Sequence, residues 1–172
     1  MTIHSEHPFL EPEGDRDPVR RLRGRLGGIV TLWTSGDDTG RSGLTVSSMM
    51  VANGDESRLL ALVDPDSDLL DRVRETGTVV VQLLGWPDRD LADAFAGTAP
   101  APGGPFRMAE FVQSAWGPRL AHAHTWVGAR LLEEAPVGWS VLLTCAIDEV
   151  TVGDDTEPLV HRRGRYRRPG TA

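Results

Sequence analysis

The chain has 172 residues, of which 40% are hydrophobic and 25% charged, and its formal net charge is −7. This length fits one domain, which buries roughly 70% of the surface that its unfolded chain exposes. The acidic balance argues against nucleic acid as a partner, because phosphate contacts need clustered positive charge. No apolar run approaches the roughly 18 residues that span a bilayer, so no membrane association is expected.

Residues 1–18 and 169–172 carry no hydrophobic periodicity, which predicts a disordered leader, a folded domain over residues 19–168 and a flexible tail. The leader has neither the basic start nor the apolar stretch of an export signal. Cys145 is the single cysteine and cannot form an intrachain disulfide. These features favour a cytoplasmic protein.

In chain order, Arg20–Leu26 suits a short helix that Gly27 and Gly28 would end. Short apolar runs between turn residues then predict strands at Ile29–Trp33, Leu44–Val51, Leu59–Val63, Val79–Leu84, Trp126–Leu132, Trp139–Val152 and Leu159–His161. Apolar spacing predicts helices over Ser67–Arg74, with Ser67 as the cap, and over Asp90–Phe95, and one helical turn at Met108–Val112. A mainly β barrel with inserted helices (α+β) is the expected fold.

The segment Ser42–Asn53 (SGLTVSSMMVAN) combines a glycine with several hydroxyl side chains. Gly43 permits close backbone approach, while Thr45, Ser47 and Ser48 add hydroxyls to the backbone N–H groups. Such a strand suits the polar edge of a ring such as isoalloxazine. An ordinary strand rich in serine and threonine is the alternative for this segment alone.

The order of several motifs adds to this interpretation. The chain reads GIVTLWTS, a polar loop and SGLTVSS, followed by LADAFAG, WGPRLAHAHTWVGARL and PLVHRRGRYRR. This succession resembles the flavin reductase-like FMN-binding domain family over nearly all of residues 19–168. The resemblance implies a homodimeric split β-barrel that binds FMN, with FAD as a possible alternative, near the subunit interface. NADH or NADPH would stack on the flavin and transfer a hydride to it, without an obligatory catalytic side chain or metal.

Carried over residue by residue, the resemblance implies two groups of binding residues. The flavin side would consist of Gly43, Thr45, Val46, Ser47, Ser48, Val63, Asp64, Ser67 and Gln82, with the phosphate near the last part of Val63–Ser67. The nicotinamide side would consist of His161, Arg163 and Tyr166. Arg163 and Arg165 suit a dinucleotide pyrophosphate, since guanidinium binds phosphate in bidentate fashion.

Three segments depart from the family pattern. MVANGDES stands where relatives usually have S-V-S-x-D-P-P, so both prolines are missing. Asp64-Pro65-Asp66-Ser67 stands where relatives often have D-R-S-S, so an arginine is replaced and an acid added near the expected phosphate; Arg41 or another chain would have to compensate. Gly138-Trp139-Ser140 stands where relatives often have Asp-His. The expected function is an NAD(P)H-dependent FMN reductase, with a flavin-dependent monooxygenase as a possible partner. The alternative is a split-barrel protein that binds flavin or another cofactor without turnover.

Some residues are better explained by packing. Trp33, Trp116, Trp126 and Trp139 are expected in the core or an interface. His122 and His124 lack suitably spaced companions, which argues against a metal site. Cys145 is expected to be a small buried hydrophobe. The basic segment HRRGRYRR is left as either a solvated face or a partner surface.

Overall fold

The computed structural model describes residues 17–155 and 157–170. They form three α-helices, α1 (Pro18–Leu26), α2 (Asp68–Thr76) and α3 (Arg89–Phe95). The strands are β1 (Gly28–Ile29), β2 (Thr31–Asp37), β3 (Gly40–Val46), β4 (Met49–Ala52), β5 (Arg58–Val63), β6 (Thr78–Leu83), β7 (Phe111–Ser114), β8 (Gly117–Leu120), β9 (Trp126–Val137), β10 (Ser140–Thr151), β11 (Val160–Arg162) and β12 (Arg165–Arg167). The prediction of a mainly β chain with inserted helices is confirmed. Within the described ranges, no helix is long and apolar enough to span a membrane.

Seven strands form one antiparallel sheet in the order β3-β2-β6-β9-β10-β5-β4. The edge strands β3 and β4 follow each other in the chain, separated only by Ser47 and Ser48. The sheet therefore curls into a barrel whose two edges meet at this two-residue break. Trp33, Leu59 and Leu143 are fully buried in its interior. Burial of such side chains, at roughly 25 cal/mol per Å² of apolar surface, is the main force that closes the barrel.

Helix α2 packs against this core through Leu69, Leu70 and Val73, which lie on one helix face. The predicted cap is confirmed, because the Ser67 hydroxyl oxygen accepts a hydrogen bond from the N–H of Leu70 at 3.3 Å. The helix ends at Gly77, whose φ of 72° is the left-handed conformation that glycine adopts at low cost.

A second core lies on the other side of β2. Leu32, Phe95 and Leu120 are buried there, so α3 and the β7–β8 hairpin pack against the barrel wall. A small sheet in the order β1-β11-β12 flanks this core. Its register places Gly28 opposite His161 and His161 opposite Tyr166. The C-terminal segment is thereby brought beside the break in the barrel.

Several predicted elements differ in detail. The strand predicted over Ile29–Trp33 is interrupted at Val30, whose N–H donates to the carbonyl of Leu159 at 2.8 Å. The helical turn predicted at Met108–Val112 is wrong, because Phe111 starts β7 and packs edge-on against Phe106, with ring centroids 4.9 Å apart. Strands β7, β8 and β12 were not predicted.

The tryptophans divide between core and surface. Trp33 is buried in the barrel as predicted. Trp116 and Trp126 are partly buried and pack against each other, with ring centroids 6.3 Å apart. Trp139, at the tip of the β9–β10 hairpin, is 85% exposed in the single chain, so it is not in the core, and its placement in an interface stays a prediction.

Most of the predicted leader lies outside the described residues. Pro18 already belongs to α1, and the Asp17 carboxylate caps that helix by accepting a hydrogen bond from the N–H of Val19 at 3.0 Å. Residues 171 and 172 of the predicted tail also lie outside the described ranges. The domain boundaries at residues 18 and 168 therefore stay predictions.

Candidate functional site

The break between β3 and β4 leaves two hydroxyl groups at the meeting of the barrel edges. Ser47 and Ser48 are half-buried, and within residues 17–155 and 157–170 neither hydroxyl is hydrogen bonded to another residue. The backbone on either side is fixed. The Thr31 hydroxyl donates to the carbonyl of Val46 at 2.6 Å, and the N–H of Leu62 donates to the carbonyl of Ser48 at 3.0 Å. The two serines are thus held in place with unused hydrogen-bonding capacity.

Gly28, on strand β1 of the small sheet, lies very close to the backbone of Ser47. A Cβ atom at residue 28 would lie 2.5 Å from the backbone carbonyl oxygen of Ser47, which is closer than real contacts permit. Gly28 in turn pairs with His161. The close approach therefore places the small sheet directly against Ser47 and Ser48, which we call the serine break. Any larger residue at position 28 would push the small sheet away from it.

The end of strand β5 also lies beside Ser47 and Ser48. Because Leu62 bonds to Ser48, the following residues Val63 and Asp64 lie beside the break. The Val63 side chain is in the barrel core, whereas Asp64 is exposed. The Ser67 hydroxyl donates to the carbonyl of Asp64 at 2.8 Å as well as capping α2, so it stabilises the turn that follows.

His161 and Tyr166 lie on strands β11 and β12 of the small sheet, which borders the break between β3 and β4. Their rings meet edge to face with centroids 5.8 Å apart. Burial, and then the nearby charge of Arg23, lower the pKa of His161, which favours the neutral imidazole. Burial and a hydrogen bond with Asp93 raise the pKa of Tyr166, so its phenol stays protonated. Both side chains offer neutral, partly apolar surface to a ligand.

Arg163 occupies the turn between β11 and β12. Its φ is 53°, and it is the residue other than glycine with a positive φ in the described chain. Its N–H donates to the carbonyl of Gly24 in α1 at 2.8 Å, which ties the hairpin to the helix. Arg165 and Tyr166 are adjacent on β12, so their side chains leave opposite faces of the strand. Arg165 therefore does not accompany Tyr166 on the site side.

Three residues predicted on the flavin side of β3 make their contacts within the chain. The Thr45 hydroxyl donates to the carbonyl of Ala92 in α3 at 2.7 Å, so its proton is used within the chain, and its contact with a flavin stays a prediction. Val46 is 4% exposed and belongs to the barrel core. At Gly43, a Cβ would lie 2.6 Å from the Phe95 ring, so the glycine accommodates α3.

Gln82 is also turned inward, with no exposed surface. Its side-chain amide donates to the Thr34 hydroxyl at 3.2 Å, and its oxygen accepts from the N–H of Leu120 at 2.7 Å. Both ends of the amide are therefore satisfied by the β2–β6–β8 contact. The structure does not bring this side chain to the serine break.

His122 and Cys145 have different surroundings. His122 lies 2.9 Å from the Asp88 carboxylate, and across the described ranges no group of three potential ligands could hold a metal ion. Cys145 is buried, and desolvation raises its pKa to about 12, which makes the thiol unreactive. Two cavities, of about 250 and 320 Å³, lie elsewhere, one beside Arg72 and Gln113 and the other beside His122 and His124.

Two further contacts were not predicted. Gly28 was interpreted only as part of a helix stop, because the sequence does not show which strand approaches it. The guanidinium of Arg20 lies 5.7 Å from the ring centroid of Trp139, which joins α1 to the β9–β10 hairpin. Since Val141 pairs with Val63, this hairpin tip lies beside the turn after β5.

The assembled site suits ligand binding more than proton chemistry. It joins two unused hydroxyls, a neutral imidazole and phenol, and one exposed carboxylate. Hydroxyls beside a narrow strand break fit the carbonyl and nitrogen edge of a planar heterocycle. The residues present thus fit a flavin ring, and a redox cofactor would supply the chemistry that the side chains lack.

Comparisons with known proteins agree with this geometry. Residues 23–170 match the family described as "Flavin reductase like domain". The chain is 28% identical over 156 residues to the FMN reductase (NADH) RutF of Ancylobacter novellus, covering 90% of this chain and 86% of that protein. The NADH:FAD oxidoreductase SgcE6 of Streptomyces globisporus C-1027 superposes with a TM-score of 0.80 at 22% identity, over 94% of this chain and 98% of that one.

The styrene monooxygenase flavin reductase of Pseudomonas putida S12 gives a TM-score of 0.79 at 17% identity, over 91% of this chain and 99% of that one. At these identities the two structural likenesses concern the fold. They confirm the predicted split-barrel architecture.

The hydrogen bond of Thr45 generates a stability prediction. Thr45→Val keeps the branched shape but removes the hydrogen bond to Ala92, so we expect the free energy of unfolding to fall by about 1 kcal/mol. Ser47→Ala is the matched control, because its hydroxyl has no partner in the described chain, and it should leave stability unchanged. Urea unfolding followed by tryptophan fluorescence measures both. Equal midpoints for Thr45→Val and Ser47→Ala would contradict the assignment.

Proposed function

Because the chain belongs to the flavin reductase like domain family, we propose that it transfers a hydride from NADH or NADPH to FMN held at the serine break. The observation that carries the proposal is the pair of unused hydroxyls on Ser47 and Ser48, fixed where the barrel edges meet. Relatives named NADH-dependent FMN reductases support NADH as the donor and FMN as the acceptor. A structural neighbour is named as an NADH:FAD oxidoreductase, so FAD is a second acceptor to test.

In this proposal, FMN supplies the redox chemistry and the nicotinamide supplies the hydride. Ser47 and Ser48 orient the flavin by donating hydrogen bonds to its polar edge. Val63, Asp64 and Ser67 border the ribityl and phosphate end. Gly43 lies against the Phe95 ring, and Val46 is packed in the barrel core. The side chains of Thr45 and Gln82 are hydrogen bonded within the chain, so these four residues keep the wall rigid.

The nicotinamide side lies at His161, Arg163 and Tyr166. The neutral rings of His161 and Tyr166 exclude water beside the flavin, and Arg163 provides a cation at the hairpin turn for a dinucleotide phosphate. The pKa shifts of both rings favour their neutral forms. No side chain has to gain or lose a proton for the hydride to pass.

The cellular setting follows from the same reasoning. Flavin reductases of this fold include components named for a monooxygenase and for a halogenase, so reduced flavin made here would serve a separate oxygen-using enzyme. The unreactive buried thiol of Cys145 needs no disulfide partner, which suits a reducing cytoplasm.

The proposed activity predicts that purified protein with micromolar FMN consumes NADH in air, measured by the absorbance of the reduced nicotinamide. The rate should depend on FMN, and NADPH and FAD are tested in parallel. A protein that binds FMN but oxidises neither nicotinamide would contradict the proposal. It would favour a flavin-binding protein without turnover.

Ser47→Ala should weaken FMN binding, because a neutral hydrogen bond contributes about 0.5–1.5 kcal/mol. The dissociation constant should rise roughly two- to tenfold. Ser57→Ala is the control, since that hydroxyl is bonded to Gly54 in a turn distant from the site. Titration by flavin fluorescence measures both variants. Unchanged affinity in Ser47→Ala would place the flavin elsewhere.

A second copy of the chain is expected to complete the site. Helix α1 buries none of its residues in the single chain. Its stripe of Val19, Leu22 and Leu26 is more than half exposed, as are Met50 and the Trp139 ring. Apolar surface along one helix stripe normally faces a partner. An isologous dimer would cover the α1 stripe of both copies.

Sedimentation velocity at micromolar concentration should therefore show a dimer. Leu22→Asp places a charge in the α1 stripe and should shift the population toward monomer, whereas Arg21→Asp on another side of the helix should not. A parent protein that is monomeric with flavin bound would contradict the dimer.

A further inference from the structure

The turn after β5, residues 64–67, lies at the end of the site where the proposed function puts the flavin phosphate. Asp64 and Asp66 are exposed there, and Asp68 follows in the first turn of α2. No lysine or arginine occurs between residues 59 and 71. The carboxylates also occupy the N-terminus of α2, whose partial positive charge would otherwise attract a phosphate. A phosphate placed here therefore meets like charge.

The hydrogen-bond donors of this turn are already used. The N–H of Asp66 donates to the Asp64 carboxylate at 2.9 Å. The N–H of Ser67 donates to the carbonyl of Asp64 at 3.2 Å, and the Ser67 hydroxyl donates to the same carbonyl at 2.8 Å. Anion sites in proteins are built from cations, hydroxyls and backbone N–H groups that point at the ligand. These three donors are therefore not left for phosphate oxygens.

The arginines on either side of the turn in the chain are held by carboxylates. Their ion pairs are Arg58 with Glu56, Arg72 with Glu75, and Arg74 with both Asp71 and Glu134. Within residues 17–155 and 157–170, no ion pair joins Asp64, Asp66 or Asp68 to a cation. The three acids of the turn thus keep their full charge.

Arg41, the residue expected to compensate for the missing arginine, is engaged elsewhere. Its guanidinium carbon lies 4.5 Å from the centroid of the Phe106 ring, within the range of a cation–π contact. It stands on β3 before Val46, and the strand between them spans roughly 16 Å at about 3.3 Å per residue. Arg41 therefore lies far along β3 from the end that reaches the serine break, and it does not offset the acids of the turn.

We propose that the site recognises the isoalloxazine ring and the ribityl chain of a flavin but not its 5′-phosphate, and therefore takes riboflavin at least as readily as FMN. The inference rests on the proposed function and names the substrate class of that same site. Ser47 and Ser48 contact the ring, which both flavins share. The phosphate of FMN gains no charge-assisted hydrogen bond at the turn and extends into solvent, away from Asp64 and Asp66.

Riboflavin differs from FMN only in lacking the phosphate, so the parent protein tests the proposal directly. Fluorescence titration gives the dissociation constant of each flavin, and NADH oxidation in air gives kcat/KM for each as hydride acceptor. At about 0.01 M ionic strength, where the Debye length is about 30 Å, FMN should bind several-fold more weakly than riboflavin. At about 1 M, where the Debye length is about 3 Å, the two constants should agree within about twofold.

Asp66→Lys reverses the charge beside the expected phosphate and keeps the hydrogen bond of the turn, since residue 66 makes it through its N–H. At low ionic strength, this variant should lower the dissociation constant for FMN roughly tenfold and leave that for riboflavin within about twofold. Asp55→Lys is the matched control, because it makes the same change of net charge on an exposed residue before the opposite end of β5. It should change neither constant by more than about twofold. Circular dichroism melting verifies that both variants are folded.

Tight and selective binding of FMN by the parent protein, more than about threefold tighter than riboflavin, would overturn the proposal, because a cation would then hold the phosphate. Unchanged FMN affinity in Asp66→Lys, or an equal gain for both flavins, would overturn it as well, since the turn would then not act on the phosphate. The proposed function fails separately, if NADH is oxidised with neither flavin. A preference for FMN with NADH oxidation intact would overturn only the present inference.

Discussion

The contact of Gly28 with the carbonyl of Ser47 is the constraint on which the site depends. No side chain fits at residue 28, where a Cβ would lie 2.5 Å from that oxygen. The contact lets the small sheet of β1, β11 and β12 lie against the point where the two barrel edges meet. It therefore sets how close His161 and Tyr166 come to Ser47 and Ser48, and a wider gap would separate the two walls.

The distribution of hydrogen bonds then separates structural from ligand-binding polar groups. Thr31, Thr45 and Gln82 all use their side chains inside the fold, at Val46, Ala92 and Leu120 respectively. Since buried polar groups cost free energy unless paired, these bonds stabilise the strands around the break. The hydroxyls of Ser47 and Ser48 remain, and their rigid setting avoids much of the entropy cost of ordering a site on binding.

The sequence predicted the architecture better than the direction of individual side chains. Short apolar runs located most strands, the Ser67 cap was readable from local chemistry, and the resemblance supplied the barrel. The internal hydrogen bonds of Thr45 and Gln82 could not be predicted, because their partners lie 47 and 38 positions away in the chain. Alternation along a strand gives two faces but does not say which of them α3 or β8 covers. Gly28 was missed for the same reason, since its contact with Ser47 is made only after the small sheet docks.

The central claim is that FMN lies against the break between β3 and β4, and a crystal structure of the protein with FMN tests it most directly. The account predicts that the isoalloxazine edge lies within hydrogen-bonding distance of Ser47 or Ser48, with His161 and Tyr166 on the side open to the nicotinamide. Flavin bound instead in the cavity beside His122 and His124, or away from both serines, would contradict it.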